Sequence, residues 1–202
     1  MSRLGTAERT TAETSISVRI ELDGTGKVNV DTPIGFLDHL LTLFGRHALV
    51  DLELKATGDV HIDEHHTVED TALVLGRAID IALGERAGIR RYGDTRLPMD
   101  EALALCAVDL GGRAYTDIEP QPDPLAGGNV WLELWPHVVE TLAREARASV
   151  HLEVRRARST HHLVEAGVKS LARALRQAWE LDPRLTGTGA EAAVPSSKGT
   201  LR

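Results

Sequence analysis

Two tracts of this chain repeat one chemical pattern, His65-His66-Thr67-Val68-Glu69 and His161-His162-Leu163-Val164-Glu165, 96 residues apart. Apolar residues follow each at steps of three and four (Val68, Ala72, Leu75, Ile79, Ala82; Val164, Val168, Leu171, Leu175, Ala178), which predicts that both tracts open a helix. There the first His and the Glu stand at i and i+4, and the second His and the Glu at i and i+3. All three are therefore expected to project from adjoining positions on one side. Imidazole and carboxylate donors without sulfur suit Mn, Fe, Co, Ni or Zn, with the carboxylates favouring the harder ions. His39 and His137, 98 residues apart, pair in the same way, which gives eight donors: His39, His65, His66, Glu69, His137, His161, His162 and Glu165. Eight donors suit two ions that keep open positions for substrate or water. A single such tract is most often solvated helix surface, and it is the recurrence in register that favours ligation. The spacing leaves open which donors share an ion. His61 and His151 read as strand-surface residues.

A second set of residues is cationic. Arg90, Arg91, Arg96 and Arg113 lie in or beside turns, and Ser196-Ser197-Lys198-Gly199 offers hydroxyls, N–H groups and an ammonium suited to a phosphate. Lys169, four residues beyond Glu165, shares its helix side. A cation beside metal ligands needs a reason, and an anionic substrate group between them is one. Taken singly, each of these arginines is equally well read as solvated surface.

The duplication extends upstream of the histidines. Glu13 through Gly24 align with Glu101 through Gly112 at an offset of 88. Each unit reads as strands followed by helices. Ile16, Val18, Ile20 and Leu22 alternate with polar residues as a half-buried strand, and Asp23-Gly24-Thr25-Gly26 is expected to turn it toward a partner at Lys27–Val30. Pro33 precedes a helix striped with Leu37, Leu40, Leu41 and Phe44. Leu52 and Leu54, then Val150, Leu152 and Val154, mark strands just ahead of the two His-His helices. Ala102–Leu110 is apolar nearly throughout, so that strand is expected to be covered on both faces. Gln121–Asn129 reads as a loop, and the Gly/Ser/Thr-rich tail beyond Pro183 as mobile unless held. The fold class is α+β, with one domain of two repeats over roughly 9–95 and 96–182 and a tail over 183–202.

Composition excludes several functions. The 202 residues are 42% hydrophobic and 26% charged, which is ordinary for a folded domain. A net charge of -7 and seven aromatics (3 Trp, 2 Tyr, 2 Phe) argue against a nucleic-acid binder. The single Cys106 rules out an intramolecular disulfide and a thiolate cluster. No stretch approaches the ~18 apolar residues of a membrane span, and the polar Met1–Thr14 lacks the apolar run of a secretory signal. A cytoplasmic location is expected.

Several longer motifs carry a resemblance: Gly35-Phe36-Leu37-Asp38-His39, Asp63-Glu64-His65-His66-Thr67-Val68-Glu69-Asp70, Pro98-Met99-Asp100-Glu101-Ala102, Asp109-Leu110-Gly111-Gly112-Arg113, Ser159-Thr160-His161-His162-Leu163-Val164-Glu165-Ala166 and Pro195-Ser196-Ser197-Lys198-Gly199-Thr200. With these, the chain from Arg9 onward resembles the imidazoleglycerol-phosphate dehydratases of histidine biosynthesis. The resemblance implies a duplicated β-sheet-plus-helices unit (halves like domain 2 of ribosomal protein S5), with helices packed between the sheets or on one face. It also implies two Mn(II) ions per chain at the matching His and Glu positions, with ligands of each ion drawn from different subunits, and a 24-subunit particle built from trimers. The family's phosphate contacts map to Arg91, Arg113, Lys169, Ser197 and Lys198, with Ser196 beside them as a further substrate-binding residue. Other substrate contacts map to Glu13 and along the helix from His39 to His47. No nucleic-acid or membrane partner is implied.

The family reaction explains the donor set. Water is lost from imidazole glycerol phosphate to give imidazole acetol phosphate, and the proton removed is not beside a carbonyl. Cations acidify bound nitrogen ligands, so a metal-bound imidazolate can expel the adjacent hydroxyl and form a diazafulvene. Glu13 is the expected proton-transferring carboxylate, although a Glu opening a strand is ordinarily solvated. A dinuclear metallohydrolase acting on a phosphorylated metabolite, or a non-catalytic shell protein glued by metal, are the competing readings. The phosphate-type residues count against the shell protein.

Overall fold

A computed structural model describes residues 3–120, 130–186 and 192–201, with the backbone alone at 130 and 132. The first unit consists of β1 (Leu4–Thr10), β2 (Thr14–Glu21), β3 (Val28–Asp31), α1 (Gly35–Ala48), β4 (Asp51–Gly58) and α2 (His65–Leu83). The second repeats that order as β5 (Tyr92–Met99), β6 (Ala102–Asp109), β7 (Tyr115–Glu119), α3 (Val130–Glu145), β8 (Ser149–Arg156) and α4 (Thr160–Trp179). The sheets have the same topology, β1-β2-β4-β3 and β5-β6-β8-β7, with the last pair of each parallel and the others antiparallel. The fold is therefore a duplicated α+β unit. The first unit reaches back to Leu4 and the second starts at Tyr92, because β1 and β5, which polar alternation hides in the sequence, are edge strands.

The inner face of each sheet is apolar and the helices cover it. Ile16, Val18 and Ile20 of β2 and Val150, Leu152 and Val154 of β8 are buried; the main core runs from one sheet through all four helices to the other, and Val154 joins a small second cluster with Ala102, Ala104 and Ala166. α1 packs on α4 and α2 on α3, so helices of different units meet. Within each unit a glycine lets sheet and helix approach closely: a methyl at Gly5 of β1 would run into the Ala78 carbonyl of α2, and one at Gly93 of β5 into the Ala174 carbonyl of α4. The two positions are twins, 88 apart on the strands and 96 apart on the helices.

Three expectations are corrected here. The 27–30 strand does not pair with β2 as a hairpin. β4 lies between them along its whole length, and the Asp51 carboxylate accepts from the N–H groups of Thr25 (2.7 Å) and Lys27 (3.0 Å), steering the chain past β4. β6 is covered on one face only. Ala102, Ala104, Cys106 and Val108 are buried, whereas on the other face Leu103 and Leu105 are half-buried and Ala107 is exposed, with no helix of the described residues laid over them. His61 sits in an exposed turn after β4 rather than on a strand, whereas His151 stands on the outer face of β8 as expected. Gln121–Asn129 lies outside the described residues. The tail is held where it is described: Gly88 donates to the Ala193 carbonyl (2.9 Å) and Arg91 to that of Pro195 (3.0 Å), and Leu201 is buried.

One buried cation ties the units together. Arg86, 1% exposed, pairs with Asp80 at the end of α2 and donates to the carbonyls of Leu110, Ala146 and Arg147 in the second unit. Removing it leaves three backbone carbonyls without this donor and Asp80 with Arg147 (2.8 Å) in place of two cations. Arg86→Ala is expected to lower unfolding free energy by about 3–5 kcal/mol in chemical denaturation. A loss under about 1 kcal/mol would show that the units dock without it.

Candidate active site: twin imidazole–carboxylate clusters

The helix pairs place the histidines. His39 on α1 and His161 on α4 both point Nε2 at Oε2 of Glu165, at 3.0 and 2.9 Å, and their rings stack with centroids 5.6 Å apart. Phe36, one turn before His39, backs the His161 ring at 5.3 Å. Across the molecule the arrangement recurs. His65 on α2 and His137 on α3 face Glu69 at 3.5 and 3.3 Å, with rings 5.2 Å apart. Each cluster thus takes one histidine from one unit and a histidine plus glutamate from the other.

His66 and His162 join neither cluster. Consecutive helix residues are 100° apart, so the second histidine of each pair leaves the side that its neighbour shares with the Glu. The expectation that both histidines of a tract share one side with the glutamate fails for this reason. Each instead gives Nδ1 to a carboxylate: His66 to Asp59 (3.1 Å), with Glu13 at 3.8 Å, and His162 to both oxygens of Glu101 (3.0 Å). These bonds raise the affinity of His66 for its proton, with Asp59 the main cause. They also leave Nε2 of each ring facing away from its carboxylate, as in a histidine set to ligate. Asp59 and Glu101 were missed by sequence reasoning. Glu101 could have been found as the twin of Glu13, 88 residues on, but Asp59 gives no sequence signal.

The inner clusters fit a divalent cation. In each, three N/O donors lie within 4.8 Å of one another, without sulfur, and His39, His161 and the Glu69 triad remain open to solvent on one side. Glu165 is held ionised. Burial pushes its carboxyl up, but the Lys169 ammonium and the His39 ring outweigh burial and bring it to about 2.

The cationic residues are divided. Lys169 pairs with Glu165 and also reaches the Met99 sulfur (3.3 Å). Half-buried His47 lies on the same flank, disfavoured from protonation first by burial and then by Lys169 and Arg173. Arg91 is elsewhere. It forks onto Asp109 (2.7 and 3.0 Å), a bond that raises its proton affinity, and reaches Pro195, while Ser196, Ser197 and Lys198 form the next turn and exposed Arg113 follows β6. The Arg91 N–H bonds Ala178 at the far end of α4, thirteen residues beyond Glu165 and so about 20 Å along the helix axis. Arg91 and the tail it holds therefore lie at the opposite end of α4 from the Glu165 cluster. Glu13 is exposed in the β1–β2 turn beside His66.

A duplicated α+β scaffold carrying reciprocal His/His/Glu clusters is a specific combination, and comparison with known proteins places it. The sequence model of imidazoleglycerol-phosphate dehydratase matches residues 32–175. Imidazoleglycerol-phosphate dehydratases of Saccharopolyspora erythraea and Kineococcus radiotolerans are each 49% identical, covering 99% and 100% of this chain and 97% and 100% of theirs. Crystal structures of that enzyme from Pyrococcus furiosus and Staphylococcus aureus superpose with TM-scores of 0.76 and 0.74 at 34% and 30% identity. They cover 96% and 89% of this chain and 99% of each of theirs. The chain belongs to the imidazoleglycerol-phosphate dehydratase family and is an enzyme of the hydro-lyase class.

Glu69→Gln combined with Glu165→Gln keeps both shapes and removes one anionic donor from each cluster. Elemental analysis of protein purified with excess manganese is expected to find bound metal reduced at least tenfold. Unchanged metal content would overturn the assignment of these glutamates as ligands.

Proposed function

We propose that this chain catalyses loss of water from imidazole glycerol phosphate to give imidazole acetol phosphate, in the cytoplasmic histidine pathway, with two Mn(II) ions per chain. The observation that carries this reading is the pair of like-built clusters, His39/His161/Glu165 and His65/Glu69/His137, in a chain of this family. Bound Mn(II) would supply the positive charge that lets the substrate's imidazole ring surrender its N–H proton and push electrons toward the leaving hydroxyl.

The chain's own residues do the rest. Two imidazoles and one carboxylate per cluster hold an ion while leaving positions open. Glu13 takes the proton from the neighbouring carbon. Asp59 already satisfies Nδ1 of His66, which leaves Glu13, at 3.8 Å, with oxygens to spare. Arg91, Arg113, Lys169, Ser196, Ser197 and Lys198 grip the phosphate, which does not react, so that binding energy orients the carbons that do.

A single chain is incomplete for this task, since His66 and His162 turn away from both clusters and the tail cations sit about 20 Å along α4 from Glu165. Neighbouring copies supplying outward histidines and tails complete each site, which supports a homo-oligomer, of 24 subunits built from trimers, in which the ions bridge chains.

Purified protein with manganese and imidazole glycerol phosphate is expected to form the enol and ketone product; release of inorganic phosphate instead would identify a metallohydrolase. Glu13→Gln should keep its metal and bind substrate but turn over about 10²–10⁴-fold more slowly, and near-normal turnover would remove Glu13 as the base. Chelation should lower the particle mass seen by light scattering; an unaltered mass would mean that the ions do not hold the assembly together.

A further inference from the structure

The two clusters have the same donors but not the same surroundings, and the differences run in one direction. Position 73 is the twin of position 169, 96 residues apart, and it carries Leu73, packed against the core, where the other unit carries Lys169. Glu165 therefore shares its carboxylate between the rings at Oε2 and an ammonium at Oε1, whereas among the described residues Glu69 meets only His65 and His137. One turn further on, Arg77 and Arg173 are twins. Arg77 is neutralised by Glu145 (2.8 Å), but the residue standing where Glu145 does in the other unit is His47. The cap of the metal-facing helix differs too. Asp63 accepts the His65 N–H (2.8 Å) with a full negative charge, while α4 is capped by the neutral Ser159 hydroxyl. Asp38, beside His39 in the chain, accepts the Thr32 N–H (3.0 Å).

Resting on the metal reading above, we infer that the clusters bind divalent cations with unequal affinity, and that His65/Glu69/His137 fills first while His39/His161/Glu165, with Lys169 on its glutamate, fills second. A like charge on a ligand's own carboxylate weakens cation binding, whereas a caging acid strengthens it. At the second position an incoming cation shares Glu165 with the Lys169 ammonium on the other oxygen, and the two like charges oppose one another. An anion brought by the substrate offsets that ammonium, so an anion and the second cation favour one another's binding.

Manganese titration of the chelated, full-length protein tests this, with bound metal followed by calorimetry and free aqueous Mn(II) by electron paramagnetic resonance. The expected result is one tight and one weak ion per chain, with dissociation constants at least about tenfold apart. Glu69→Gln should abolish the tight class and Glu165→Gln the weak one. Lys169→Leu, copying its twin position, should draw the two classes together, and inorganic phosphate should tighten the weak class in the wild type only. Two equal classes in the wild type, or a weak class unmoved by Lys169→Leu, would overturn the inference while leaving the metal sites standing. Binding of less than one ion per chain would instead overturn the metal reading itself. The wild-type titration needs no variant to fold, so the inference stays exposed to refutation if Lys169→Leu is unstable.

Discussion

The docking of helices from opposite units is the contact on which everything else depends. α1 meets α4 and α2 meets α3, and each imidazole–carboxylate cluster straddles one of these seams. Neither unit owns a cluster, since the glutamate and one histidine come from one half and the second histidine from the other. Any loosening of the halves would separate ring from carboxylate before it disturbed either sheet. The buried Arg86, bonded to Asp80 in one half and to backbone carbonyls in the other, and the close seating of Gly76 of α2 against the Leu142 carbonyl of α3 keep that seam rigid.

A second constraint comes from the pitch of the α-helix. Adjacent histidines cannot aim at the same point, so each His-His tract serves two directions. One ring turns to the inner cluster, and the other is clamped through Nδ1 by Asp59 or Glu101. The length of α4 separates the tail held by Arg91 from the Glu165 cluster. A fold that exports one histidine of every pair is suited to sharing its sites between copies.

Duplication supplied two copies of one unit, and divergence made them unlike in charge rather than in shape. Ligand positions match pair for pair, as do strand order and the glycines under the helices. What differs is the flanking charge: Lys169 against Leu73, His47 against Glu145, Ser159 against Asp63. Glu13 and Glu101 diverge as well. Glu101 is occupied by the Arg158 N–H and His162, while Glu13 keeps an exposed carboxylate. Electrostatics can be changed one side chain at a time without disturbing a packed core, which is why the copies part company there.

The duplication, the helix faces and the identity of the cluster residues were legible in the sequence, because periodicity and recurrence are local properties that survive without coordinates. β2, β4, β8, α1, α2 and α4 announce themselves by alternation or by steps of three and four. The edge strands β1 and β5 do not, since an edge strand with one wet face carries too little apolar pattern. The partner of β3 was also hidden, because pairing is settled by what slides between two strands and not by the turn that joins them. The sequence alone named His39, His65, His137 and His161 without saying which would meet. Only the packing of helix on helix decided that His39 goes with Glu165 and His137 with Glu69, because a side chain's partner across a seam is fixed by the docking of whole elements, and no residue's own neighbours in the chain contain that information.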